Sequence, residues 1–157
     1  MEKESYVNKL LVGEAKIVTS AQGLAQNVLG DVQLVKLSGK DTNGKFTIVE
    51  NNNPPGVGIP MHVHENEDEV FRILDGTMEF IVEGKSTILN PGDTIFLPRQ
   101  VPHSFKVVGE SNARAIVTIV PAGIENMFEQ LCELPAGPPD MEKVFAICNS
   151  FGIKFII

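Results

Sequence analysis

Between residues 30 and 120 the apolar positions come in short bursts, several of them with a period of two. The bursts are VQLVKL (32–37), FTIVE (46–50), EVFRIL (69–74), TMEFIV (77–82), STIL (86–89), DTIFL (93–97), SFKVV (104–108) and ARAIVTIV (113–120). None is long enough for an ordinary helix, and Val, Ile and Phe dominate them, so each predicts a strand. Turn signals separate the bursts: Gly30-Asp31, Asn43-Gly44, Pro55-Gly56, Asp75-Gly76, Glu83-Gly84, Asn90-Pro91-Gly92 and Gly109-Glu110. Strands at this spacing, with no helices between them, predict an all-β sandwich or barrel.

The period changes after Pro121. Ile124, Met127, Phe128 and Leu131 fall at i, i+3, i+4 and i+7, one face of a helix. The run 135–139, PAGPP, ends that helix, and Met141, Val144, Phe145 and Cys148 repeat the pattern. Asp140 is placed to cap the second helix, and Gly152 to end it. The tail IKFII reads as a short strand or packed segment. The two helices are expected to cover an open sheet face or a partner subunit. With no internal repeat and no low-complexity linker, residues 1–157 read as a single domain, a barrel over about 31–120 followed by a helical extension over about 122–157.

Composition narrows the function classes. A length of 157 residues is enough to close a sizeable core, and 43% hydrophobic with 21% charged residues is ordinary for a globular chain. The net charge of −7 and the lack of a basic cluster argue against a nucleic-acid partner or an anionic membrane surface. The start MEKESYVNKL has no apolar signal core, and no run approaches a membrane span, so a cytoplasmic location is expected. Cys132 and Cys148 are too few for a disulfide framework and read as small buried apolar side chains.

The chain has three histidines, and two of them stand one residue apart in MHVHENEDEVFRILDG, residues 61–76. In a strand, residues i and i+2 share a face, so His62 and His64 point the same way. Glu69, after the polar turn 65–68, can lie beside them, and His103 can reach the same place from a neighbouring strand. Glu65, Glu67 and Asp68 read as a solvated turn. Three imidazoles and one carboxylate suit a divalent transition metal, Fe, Mn, Co, Ni, Cu or Zn, with positions left open for a ligand.

The spacing G-x5-H-x-H-x4-E-x6-G is met by Gly56, His62, His64, Glu69 and Gly76, and G-x5-P-x4-H by Gly92, Pro98 and His103. These resemble the two signature motifs of the cupin superfamily. The resemblance implies a double-stranded β-helix (jelly-roll) barrel holding one metal ion on His62, His64, Glu69 and His103. The second motif departs at Gln100, where the family usually has glycine, and at Val107, where asparagine is common.

The resemblance runs most strongly to small single-domain bacterial cupins similar to quercetin dioxygenase. It implies a metal-dependent oxygenase of a small organic substrate, with Glu69 as base as well as ligand. Two alternatives stay open: a metal-containing module that binds a small ligand without turnover, and an isomerase or lyase. Strand parity places Phe71, Ile73, Phe105 and Val107 on the metal's side. Met78, Phe80 and Phe96 are candidates for the pocket wall from intervening strands. Arg72 has surface parity, and Arg99 is a candidate at the mouth. A homodimer is expected, because pairing hides strand edges, with the segments KIVT and IKFII as contributors.

Overall fold

The computed structural model describes residues 13–156. The N-terminal decapeptide and Ile157, on which part of the sequence reading rests, lie outside them. Eleven strands among the described residues form two antiparallel sheets that face each other as a double-stranded β-helix. One sheet contains β1 (Leu24–Val28), β2 (Asp31–Leu37), β3 (Thr47–Asn53), β10 (Ala113–Val120), β5 (Asp68–Asp75) and β8 (Thr94–Leu97), in the order β1-β2-β3-β10-β5-β8. The other runs β11-β4-β9-β6-β7, with β4 (Gly58–His64), β6 (Thr77–Val82), β7 (Lys85–Leu89), β9 (His103–Val108) and β11 (Ile153–Phe155). Two helices, α1 (Glu125–Cys132) and α2 (Met141–Ser150), precede β11.

All eight predicted bursts are strands. The alternation works as expected on β10, where Ala113, Ala115, Val117 and Ile119 are buried and the residues between them face outward. Phe71, Ile73, Phe80 and Leu97 form the deepest part of the core. Each such side chain taken out of water contributes about 1.5–3 kcal/mol. The turn between β5 and β6 needs its glycine: Gly76 has φ +72°, and a Cβ there would come within 2.4 Å of the Asn112 carbonyl oxygen.

β1 has no burst to announce it. Two of the five residues in its sequence, LAQNV, are polar, and it forms because the chain reverses tightly at Leu29-Gly30, both at positive φ, as a two-residue hairpin of the I′ kind requires. The Asn27 side-chain oxygen accepts from the Gly30 N–H at 2.9 Å and holds that turn. β3 is longer than its apolar run, because the residues 51–53, all Asn, continue the ladder instead of starting a loop.

The helices cover the barrel. α1 packs its face Ile124, Met127, Phe128 and Leu131 inward and lies on β1. Asp140 caps α2 as predicted, accepting from the N–H groups of Glu142 and Lys143, and Gly152 follows at φ +76°. Val144 and Cys148 are buried, but Met141 is 44% exposed. Cys132 is also exposed, a correction: it ends α1 at the rim of β1, where its Sγ accepts from the Asn27 N–H at 3.1 Å and donates to the Asn27 carbonyl oxygen at 3.2 Å. The tail pairs within the chain, β11 lying along β4 with Ile153 opposite His64 and Phe155 opposite His62. Among the described residues no helix is long and apolar enough to cross a membrane.

Candidate metal centre

His62 and His64 end β4, Glu69 stands near the start of β5, and His103 opens β9. β4 and β9 are neighbours, with His62 opposite His103, so two of the imidazoles meet by direct pairing. One extra residue on β4 between Ile59 and His62 shifts the register, a bulge at Pro60-Met61. Pro60 has no N–H to give the ladder, and a bulge is where a strand tolerates that. Because of the shift, both Ile59 and His62 line the barrel's central cavity although they are three residues apart. Glu69 comes from the opposite sheet, paired with Ile119 on β10 and Leu97 on β8.

All four side chains are buried, and one ligand atom from each lies within 4.8 Å of the others. His62 Nε2 is 3.1 Å from His64 Nε2, and Glu69 Oε2 is 3.1 Å from His103 Nε2 and 3.3 Å from His64 Nε2. Bonds of about 2.1 Å at right angles around one ion would separate adjacent ligand atoms by about 3.0 Å.

The outer ring nitrogens decide what the inner ones offer. His62 Nδ1 lies 2.8 Å from the Pro60 carbonyl oxygen, and His103 Nδ1 lies 3.1 Å from that of Val101. A carbonyl only accepts, so these rings carry their proton on Nδ1 and turn the Nε2 lone pair inward. His64 Nδ1 faces a carboxylate oxygen of Glu67 at 3.4 Å. Three lone pairs and a carboxylate oxygen therefore converge with no donor of their own. Such a set repels itself unless positive charge sits at its centre, and a divalent cation fits the donor set.

The same closeness shifts each group's proton affinity. Burial, and then the nearby imidazoles of His103 and His64, pushes the His62 pKa down to about 4. Burial alone would raise Glu69, but the imidazoles of His64, His103 and His62 beside it outweigh that and hold the carboxyl at about 2. His64 goes the other way: burial opposes its charge, and Glu69 and Glu67 overcome that and raise it.

The remaining sequence candidates divide. Phe71 and Phe105 line the cavity beside the ligand set. Phe80 is fully buried against both, with ring centroids 5.1 and 5.8 Å away, and Met78 is buried nearby; neither reaches the cavity, so both are core. Phe96 is 60% exposed and is corrected: β8 pairs Leu97 with Glu69 and Ile95 with Phe71, which turns Phe96 outward with Val70. Arg72 is exposed, as its parity implied. Arg99 does not line the cavity; its guanidinium grips Asp68 at 3.0 and 3.1 Å. Glu67 is corrected as well, for it is 7% exposed and backs His64, whereas Glu65 stays at the surface with Lys154.

Gln100 keeps a glycine-like conformation, φ +66°, and its N–H donates to the His64 carbonyl oxygen at 2.7 Å. The turn before His103 is thus preserved without the glycine. What the sequence reading missed is a polar patch on the cavity wall, Asp31, Gln33 and Asn51. The signal was there, since these residues alternate within β2 and β3, but the three consecutive asparagines resemble a loop.

The cavity is small, about 70 Å³. Leu29, Ile59, Leu131 and Phe155 line both it and a wider groove beneath the α1–α2 connection, so the two adjoin across these four side chains.

Comparison with known proteins agrees with this architecture. Residues 52–119 match the Cupin_2 family model, "Cupin domain". The chain is 33% identical over 116 residues to quercetin 2,3-dioxygenase of Bacillus subtilis, covering 74% of this chain but only 32% of that enzyme. It is 28% identical over 93 residues to an oxalate-binding protein of Thermotoga maritima, covering 58% of this chain and 77% of that one. The solved structure of KdgF from Halomonas sp. superposes with a TM-score of 0.63 at 18% identity, over 72% of this chain and 99% of that one. Two facing sheets, both signature spacings and their convergence on one buried point place the chain in the cupin superfamily.

Proposed function

We propose that His62, His64, Glu69 and His103 hold one divalent transition metal, and that the centre performs dioxygenase-like chemistry on a small organic anion. The observation that carries the reading is the convergence of three Nε2 lone pairs and one carboxylate oxygen, with each imidazole fixed from behind. The bound metal would supply a Lewis acid that lowers the pKa of a hydroxyl or enol oxygen. Glu69 Oε2 is the group in place to accept that proton. Phe71, Phe105 and Ile119 wall the cavity with apolar surface and keep bulk water from the reacting atoms. The similarity to quercetin 2,3-dioxygenase supports an oxygenase reading, and because only a third of that enzyme is matched, substrate and activity are inferred here for this chain separately.

Cavity size sharpens the substrate class. About 70 Å³ accommodates a handful of waters, the scale of a catechol or a β-diketone rather than a three-ring flavonol. A second reading, ligand binding without turnover, is favoured by the match to most of an oxalate-binding protein.

The test is oxygen uptake with catechols, β-diketones and flavonols, on protein loaded separately with Fe(II), Mn(II), Co(II) or Ni(II). Uptake that requires both metal and Glu69, with the smaller compounds preferred, is the expected result. Tight binding without oxygen consumption for every metal replaces it with the binding reading. Stoichiometric metal retained after His103→Ala overturns the ligand set.

A further inference from the structure

The cavity has a second chemical pole. Asp31 and Gln33 on β2, and Asn51 and Asn53 on β3, all point inward and are 3–4% exposed. Gln33 and Asn51 are direct cross-strand partners. Asn51 Nδ2 donates to both Asp31 oxygens at 2.8 Å, Asn53 Nδ2 to Oδ1 at 2.6 Å, and Gln33 Nε2 to Oδ2 at 3.2 Å. Four contacts fill the lone-pair positions of the carboxylate.

This arrangement orients the amides. With their NH2 groups committed to Asp31, Gln33 and Asn51 are left with carbonyl oxygens, and neither oxygen has a hydrogen-bond partner. Asn53 is different, since its oxygen accepts from the Val32 N–H at 2.8 Å. A buried, unpartnered carbonyl costs about 1–3 kcal/mol, so two of them side by side on a cavity wall need an explanation. Gln33, Asn51 and Asp31 line the same cavity as His62, His64 and Glu69. By register, Asn51 and Glu69 meet β10 four residues apart, at Ala115 and Ile119, about 13 Å along the strand. The ligand set and the amide pair therefore occupy different ends of one space.

We propose that Gln33 and Asn51 form a hydrogen-bond-accepting wall that selects a ligand bearing a hydroxyl group at the end remote from His62, His64 and Glu69. The inference rests on the metal-centre reading and adds its specificity. Asp31 acts as a positioning residue: it sets the amide orientation and does not touch the ligand. Because its carboxylate is saturated, the wall offers two neutral acceptors, which match an O–H donor without requiring a cationic one. The sides between the poles, Phe71, Phe105 and Val117, are apolar, so the implied ligand is flat or apolar in its middle and polar at both ends.

The experiment compares 4-methylcatechol with 4-(hydroxymethyl)catechol and 3,4-dihydroxybenzylamine by calorimetric titration of metal-loaded protein under nitrogen. Metal content is measured first, so that failure of the metal centre is seen before any ligand is added. The alcohol is expected to bind about tenfold tighter than the methyl compound, one neutral hydrogen bond's worth. That preference should vanish in Gln33→Met, which keeps chain length and removes only the weakest contact to Asp31, and in Asn51→Leu. Thermal melts confirm that each variant is folded, and Gln33→Met suffices if Asn51→Leu is not. Equal affinities in the unsubstituted protein, a preference unchanged in Gln33→Met, tighter binding of the amine than the alcohol, or binding of none of the three by metal-loaded protein overturns the inference.

Discussion

At the residue scale, position behind the ligands matters as much as the ligands. Ala at His62, His64 or His103 is expected to abolish stoichiometric metal, since each change removes an imidazole donor; metal analysis after dialysis is the check. Glu67→Ala removes the acceptor behind His64 and should weaken metal affinity by about tenfold or more. Glu65→Ala, which touches only Lys154 at the surface, should leave affinity unchanged, and equal effects of the two would show that Glu67 does not orient the ring. Gln100→Gly relieves a left-handed conformation while keeping the N–H bond to His64, so it should stabilise by up to about 1 kcal/mol in denaturant unfolding. The histidines were legible because the chain has only three and their spacing is distinctive. Glu67 was not, because an acid in a polar turn looks solvated until the turn folds over a histidine.

At the element scale, one carboxylate ties the helical cover to the barrel. Glu125, in the first turn of α1, accepts from Thr47 Oγ1 at 2.7 Å, from the Gly39 N–H at 2.6 Å and from the Gly123 N–H at 2.8 Å. Partial burial would raise its pKa, but the Thr47, Gly39 and Gly123 bonds outweigh that and hold it below 4.5. A depressed carboxyl pKa contributes stability that is present above the unfolded value and lost as pH falls through the folded one. Wild-type melting temperature should therefore fall between about pH 5 and 3 more steeply than that of Glu125→Gln, and parallel curves would dismiss the clamp. The helices themselves were readable from i, i+3, i+4 and i+7 spacing. β1 was not, since Gln26 and Asn27 interrupt its apolar residues and it exists through its hairpin with β2.

At the scale of the whole molecule, β1, β7, β8 and β11 are the outermost strands of the two sheets among the described residues, and several apolar side chains face outward. Ile17, in the KIVT segment, is 89% exposed, and Phe96 on the edge strand β8 is 60% exposed. Association of two copies would cover such surface. Sedimentation at micromolar concentration is expected to give a homodimer, shifted toward monomer by Ile17→Asp. A monomer for the unsubstituted chain would reject pairing and leave the site intact. The IKFII segment is already engaged on one side, for β11 bonds to β4 within its own chain.

Sequence by itself determined the class of fold, the two helices and the identity of the four converging residues. Those properties are local: periods of two and 3.6, turn residues at fixed places, and ligand types at fixed spacing. Tertiary structure decided which side chains share the cavity. The register of β8 against β5 turned Phe96 out and Leu97 in, and the bulge at Pro60-Met61 aimed His62 inward beside Ile59. Pairing of β2 with β3 brought Asp31, Gln33 and Asn51 together across 20 residues of chain. A strand's period tells which residues share a face, but only its neighbours decide which face looks inward, because a shift of one residue exchanges the two.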